Sequence, residues 1–174
     1  DIASGPCILS WVLNEPTVSV DIDRHMLEAG ERIKHPDTVS IHGRATQLPL
    51  PDNSFDLAVM SLAYQMTRPI RRDKIGKEVV EVKERERVLR EASRVLRGGG
   101  YFVVTMPYSC ISPEDIVNLR EGMNHLGLEM IPELTGYVEG RRRAPRTAGV
   151  RFKIFMTTAR KYGQANEEEM NPSR

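Results

Sequence analysis

Asp1 to Cys7 reads D-I-A-S-G-P-C, and twenty positions after Asp1 a second acid, Asp21, closes the apolar run Val18-Ser19-Val20. A turn of small residues between a strand and a helix lets the backbone approach a ligand closely. An acid about 20 residues on, at the tip of the next strand, can accept two hydrogen bonds from ribose hydroxyls. The spacing points to a nucleoside-containing cofactor. Ala3, Ser4 and Gly5 would pass their backbone close to the ligand, Asp21 would hold the ribose, and Ile22 would lie beside the base. Only one of the usual three glycines is present, since Ala3 and Cys7 stand where glycine is expected. A tight turn without a ligand, with Asp21 or Asp23 capping the next helix, is the alternative that these residues leave open.

Two further stretches follow in order. Gly43-Arg44-Ala45 leads to Leu48-Pro49-Leu50-Pro51-Asp52-Asn53-Ser54-Phe55-Asp56, and Arg94-Val95-Leu96-Arg97-Gly98-Gly99-Gly100 leads into Tyr101-Phe102-Val103-Val104. With D-I-A-S-G-P-C and V-S-V-D-I-D-R-H-M-L, this series resembles the class I S-adenosylmethionine-dependent methyltransferases, in the small-molecule-like branch with an L-P-F-P-D-x-S-F-D signature. The resemblance covers Asp1 to about Lys161. It implies S-adenosylmethionine as cofactor, with Asp1, Ala3, Ser4, Gly5, Asp21, Ile22, Arg44, Ala45 and Ser61 in its site.

Arg44 departs from the pattern. The resembling families usually carry an acid there to accept the adenine amino group's hydrogen bond, and an arginine offers donors only. Ala45 could still give its backbone N–H to the ring. The segment Ser61-Leu62-Ala63-Tyr64-Gln65-Met66 should face the transferred methyl, with Tyr64 and Gln65 as candidates to orient an acceptor. It holds neither an Asn/Asp-Pro-Pro-aromatic sequence nor a cysteine. The four histidines are scattered, so no general base can be named and the catalytic residue stays open. Cys7 reads as a small buried hydrophobe rather than a reactive thiol.

A chain of 174 residues with 40% hydrophobic content supports one core and is short for two domains. The resemblance places a methyltransferase-like domain at 1–161, and the composition of 162–174, with Gly, Gln, Asn and a Glu triplet, reads as a disordered tail. Residues 1–60 carry four Lys/Arg against nine Asp/Glu, whereas 141–161 carry eight Lys/Arg and no acid. A basic patch is therefore confined to the C-terminal part, where Arg141, Arg142, Arg143 and Arg146 suggest contact with nucleic acid or an acidic partner. Two cysteines far apart exclude a metal motif and a disulfide framework, and suit the cytoplasm or another reducing compartment. No run of eighteen apolar residues suggests a membrane span.

Helical spacing of Ile8, Leu9, Val12 and Leu13 predicts a helix that ends at Asn14-Glu15-Pro16. A strand is expected at Thr17 to Asp21, a helix from about Arg24 to Ile33, and strands at Val39 to His42 and Phe55 to Met60, the last buried on both faces. Apolar positions from Ile75 to Leu96 predict one long amphipathic helix, Lys74 to Arg97, followed by a strand at Tyr101 to Thr105. Ser112-Pro113-Glu114-Asp115 is a helix start with a serine cap. Strands near Leu128 to Leu134 and Arg151 to Thr158 would flank a mobile arginine loop at 140–146.

The elements imply an α/β, Rossmann-like class I methyltransferase fold: a mostly parallel sheet with an antiparallel C-terminal hairpin. By resemblance the strand order is 3-2-1-4-5-7-6. The central first strand is missing or nearly so, because its last residue would be Asp1, and the expectation is a fragment whose missing strand comes from upstream residues or a partner chain. Three functions follow from these readings: methyl transfer to an unidentified acceptor, a non-catalytic assembly module of the same fold, or an RNA methyltransferase using the arginines.

Overall fold

A computed structural model of the chain describes residues 1–67, 71–75, 78–144 and 147–163. Val18–Asp21 (β1) and Val39–His42 (β2) pair in parallel. Phe55–Ser61 (β3) pairs in parallel with Leu96–Pro107 (β6), which pairs antiparallel with Thr147–Lys161 (β9). Leu128–Met130 (β7) and Gly136–Ala144 (β8) both pair antiparallel with β9. The described strands thus form two sheets, β1–β2 and β3–β6–β9–β7 with β8 also on β9, which follow the expected order on either side of the central first strand and carry the antiparallel hairpin at the C-terminal end.

The strands β1 and β3 are not bonded to each other. Asp1 to Ser4 stands between them: Ile2 bridges Val20 in parallel and its N–H reaches the Val59 carbonyl at 2.7 Å, while Ser4 N–H reaches Val20 O at 3.1 Å. Below this stub lies a groove of about 400 Å³ between the two strands, lined by Val18, Val39, Phe55, Leu57 and Val59 among others. That groove corrects one expectation. β3 is not buried on both faces: Ala58 and Met60 are in the core, but Leu57 is 48% exposed because it faces the groove.

The short helix Ile8–Leu13 (α1) ends at Asn14 in the left-handed conformation, as the Asn-Glu-Pro stop predicts. Arg24–Gly30 (α2) starts on Asp23, whose carboxylate accepts from the N–H groups of His25 and Met26. Gly30 is required at its end, because a Cβ there would lie 2.6 Å from the Pro6 carbonyl oxygen. Ser112 and Asp115 form a full capping box at the start of Pro113–Asn124 (α4).

The predicted long helix from Lys74 is overturned. Arg71–Ile75 (β4) and Glu78–Val82 (β5) form an antiparallel hairpin, and the helix, Glu84–Val95 (α3), begins only after it. Val79, Val80 and Val82 supply the physical reason, since β-branched residues lose χ1 freedom in helices and pack well in strands. The arginine segment is also not a loop: Arg141 lies opposite Arg151 and Arg142 opposite Val150 in the β8–β9 ladder. Arg146 and residues 164–174 fall outside the described residues. Tyr162 N–H bonds to Gly127 O at 2.9 Å.

The main core lies on the side of the sheet covered by α3 and α4, where Phe102, Val104 and Met106 of β6 meet Leu89, Leu119 and Met123. Burying residues of this size contributes about 1.5–3 kcal/mol each. The proline-rich motif between β2 and β3 is fastened to α3 by one side chain. Arg94 donates to the carbonyls of Leu48 at 2.9 Å and Leu50 at 2.8 Å, and pairs with Glu91 and Asp52. Glu91 in turn accepts the Leu48 N–H at 2.6 Å. Lys161 closes the other side by donating to Asn53, Ser93 and Leu96.

Candidate methyl-donor pocket

Beyond the carboxyl ends of β1 and β3 is a cavity of about 350 Å³, within the size range of small-ligand sites. Such crevices are where open parallel sheets take ligands, because loops diverge there and leave a cleft. Of the expected cofactor residues, Ala3, Gly5, Asp21, Ile22, Arg44 and Ala45 line it. Asp1, Ser4 and Ser61 do not line it. Asp1 opens instead onto the groove between β1 and β3, and Ser61 is engaged with Thr105, hydroxyl to hydroxyl at 3.1 Å.

The backbone around the pocket is unusual. Ala3, Gly5 and Cys7 have φ of 54°, 53° and 55° in succession along the turn, a region costly for residues with a Cβ. Only Gly5 is free of that cost, and a Cβ added to it would meet nothing within 4 Å. Leu62, on the opposite wall, also has φ of 54° and is held there by N–H bonds to the Thr105 carbonyl and hydroxyl. Strained residues facing one cavity point to function, because packing alone would select relaxed ones. Cys7 is fully buried with its sulfur 3.7 Å from the Ser40 hydroxyl, as a small core residue.

Asp21 is 8% exposed and is oriented by two backbone donors: Gly5 N–H on Oδ2 at 2.7 Å and Asp23 N–H on Oδ1 at 2.8 Å. A carboxylate has about four acceptor sites, so each oxygen retains capacity for a ligand hydroxyl. The turn and the acid are thus one unit, with the glycine N–H aiming the side chain. Beside it Ile22 is 55% exposed, its carbonyl fixed by His42 Nε2 at 2.9 Å. An exposed aliphatic side chain at a strand tip suits the face of a base. Met66, on the opposite rim, is 79% exposed.

Motif reasoning did not single out Leu62 or Met66 as pocket walls; an apolar pair in a segment following a strand was the available signal. Nor did it find the Arg94 clamp, although Glu91 and Arg94 are three residues apart on a helix and could have been read as a pair. Tyr64 does not face the pocket. It is buried, with the Arg85 guanidinium 5.5 Å over its ring, and burial pushes its phenol up to about 12 against the opposing pull of Arg85. It stays protonated through neutral pH. Gln65 donates its amide to Leu62 O, and its Oε1 is buried with no partner among the described residues. A larger cavity between α3 and α4, about 1010 Å³, has charged walls and lies away from Asp21.

No histidine or cysteine lines this cavity among the described residues, and no group of three metal-binding side chains occurs there or elsewhere among them. No helix among them is long and apolar enough to cross a membrane.

A family model described as a methyltransferase domain matches residues 1–104. The chain belongs to this methyltransferase-domain family. The demethylmenaquinone methyltransferase of Listeria welshimeri is 36% identical over 85 residues, which cover 47% of this chain and 30% of the relative. The chain thus spans about a third of the length of the curated relatives it matches. Among solved structures, a SAM-dependent methyltransferase from Thermotoga maritima aligns with TM-score 0.64 and 20% identity, covering 92% of this chain and 79% of the other. A (4+2)-cyclase aligns with TM-score 0.61 and 17% identity, covering 94% and 74%. These two establish the Rossmann-like fold, and the second shows that this fold carries chemistry other than methyl transfer.

S-Adenosylmethionine is the cofactor that the methyltransferase domain implies, and the pocket residues fit it. A carboxylate with spare acceptors, an exposed aliphatic face and a turn with an open glycine meet the needs of a ribose, a base and an amino-acid portion. Arg44 also lines the pocket and offers donors only.

Proposed function

We propose that this methyltransferase domain binds S-adenosylmethionine in the pocket at Asp21 and transfers its methyl group to a small acceptor. The observation that carries the reading is the unspent acceptor capacity of Asp21, a buried carboxylate aimed into a cavity by Gly5. The cofactor supplies an electrophilic methyl when bound. The chain's own contribution is placement. Asp21 and the Ala3–Gly5 backbone fix one end, Ile22 and Ala45 flank the base, and Leu62 with Met66 bounds the side from which an acceptor enters. Catalysis of this kind rests on proximity and alignment, with no general base required at the pocket.

Calorimetry with S-adenosylmethionine and S-adenosylhomocysteine tests the proposal. Binding of both at one site per chain is expected. No binding by a folded protein that includes any upstream residues would reject it in favour of a non-catalytic assembly module. Binding of RNA is a separate reading carried by the β8 arginines.

A further inference from the structure

We propose that Tyr108 and Tyr137 form a binding corner for an organic ammonium ion, a site occupied in the resting chain by the protein's own Lys153. The two rings meet edge to face, centroids 5.3 Å apart and planes at 80°, so their faces make two walls of a corner. The Lys153 ammonium lies 4.7 Å from both centroids at once, well inside the range where a ring's negative face attracts a cation. Glu139, directly opposite Lys153 in the β8–β9 ladder, places its carboxylate 3.4 Å from the ammonium. Two aromatic faces and one carboxylate are the chemistry that recognises ammonium groups.

Burial does not account for this arrangement. Tyr108 and Tyr137 are 49% and 48% exposed, and the Lys153 side chain is 36% exposed. The corner is nonetheless anchored, because Tyr137 packs on Phe155, which is buried, with centroids 5.6 Å apart. The walls are thus held by the core while the occupant is a flexible side chain reached from solvent. A lysine stem has four rotatable bonds and can leave without disturbing the sheet.

Position adds to the argument. Tyr108 follows β6 at its carboxyl end, three residues after Thr105, and three residues of extended chain span at most about 10 Å. Thr105 is the residue that holds Leu62 in the pocket wall. The corner and the methyl-donor pocket therefore open on the same edge of the sheet. The site itself is independent of methyl transfer, since nothing in it requires a cofactor.

The test is titration of the full chain with tetramethylammonium chloride, followed by NMR at constant ionic strength, with tert-butanol as a neutral probe of similar size. The parent should bind tetramethylammonium weakly and tert-butanol not at all. Lys153→Met removes a tethered competitor and a like charge, and should tighten binding about twofold or more. Tyr137→Leu should weaken it about fivefold or more; should that variant not fold, by circular dichroism, Tyr108→Leu gives the same reading. Unchanged or weaker binding in Lys153→Met overturns the proposal, as does retained binding in the tyrosine variants or equal binding of tert-butanol. S-Adenosylmethionine affinity measured on the same samples separates failure of this site from failure of the cofactor pocket.

Discussion

The Arg94 clamp and the Asp21 pocket are both built from charged groups near the ends of strands, yet they end in opposite states. Around Arg94 the charges meet partners within the chain: two carbonyls and two carboxylates receive its N–H groups, and Glu91 takes a backbone N–H as well. At Asp21 each oxygen has one internal donor and faces a cavity. The turn beside it is left-handed at residues that are not glycine. A saturated network holds structure, whereas unspent hydrogen-bonding capacity next to strained backbone is held for a ligand. Unpaired acceptors that stayed dry would be costly.

The largest expected effect lies in the clamp. Arg94→Ala leaves Glu91 without its charged partner and the Leu48 and Leu50 carbonyls without the guanidinium donor, and should destabilise the domain by about 2–4 kcal/mol, read as a shift in urea midpoint. A shift of only a few tenths would mean that water replaces the guanidinium and that the clamp is not structural.

Asp21→Ala comes next. It should weaken S-adenosylmethionine at least about tenfold, because charge-assisted ribose contacts are lost. The contrast with the clamp sharpens if stability falls much less than in Arg94→Ala. Equal affinity in Asp21→Ala and the parent would remove Asp21 from the site.

Arg44→Asp is a gain. It restores an acceptor for the adenine amino group and should tighten binding roughly threefold to twelvefold. Calorimetry showing no change in a folded variant would mean that Arg44 points away from the base.

The smallest effect is acid sensitivity. Glu91 is held below the ordinary carboxylate range mainly by Arg94, and Asp115 mainly by Arg85 with help from Ser112. A carboxyl whose folded value is depressed contributes stability that is whole above its unfolded value, near 4 for these groups, and is lost as pH falls through the folded value. Melting temperature should therefore be flat above about pH 5 and decline below about pH 4. In Arg94→Ala that decline should shrink, since Glu91 then loses its main depressing partner; an identical acid profile would assign the loss to other groups.

Much of the fold was legible because its signals are local. The serine-proline helix start, the Asn-Glu-Pro stop and the apolar strands at β1 and β2 depend on neighbours in the chain, and each was found where its chemistry placed it. The β4–β5 hairpin was not, since charged and β-branched residues in alternation fit either a helix face or a strand, and only pairing decides between them. The arginines likewise read as a loop because charge density resembles solvated coil, until β9 supplied a partner strand.

For the site, the sequence determined the type and spacing of the turn and the acid, because a strand–turn–helix unit is set by residues close together in the chain. Tertiary structure decided which residues share a cavity. Ser61 belongs to the same motif as Met60 and Leu62, which line the pocket, but a strand's residues alternate in direction, so it serves a different surface and meets Thr105. Leu62 reached the pocket through Thr105, 43 residues away. Lys153 reached two tyrosines that belong to different strands' ends. Contacts of such range depend on sheet register, which no local pattern encodes.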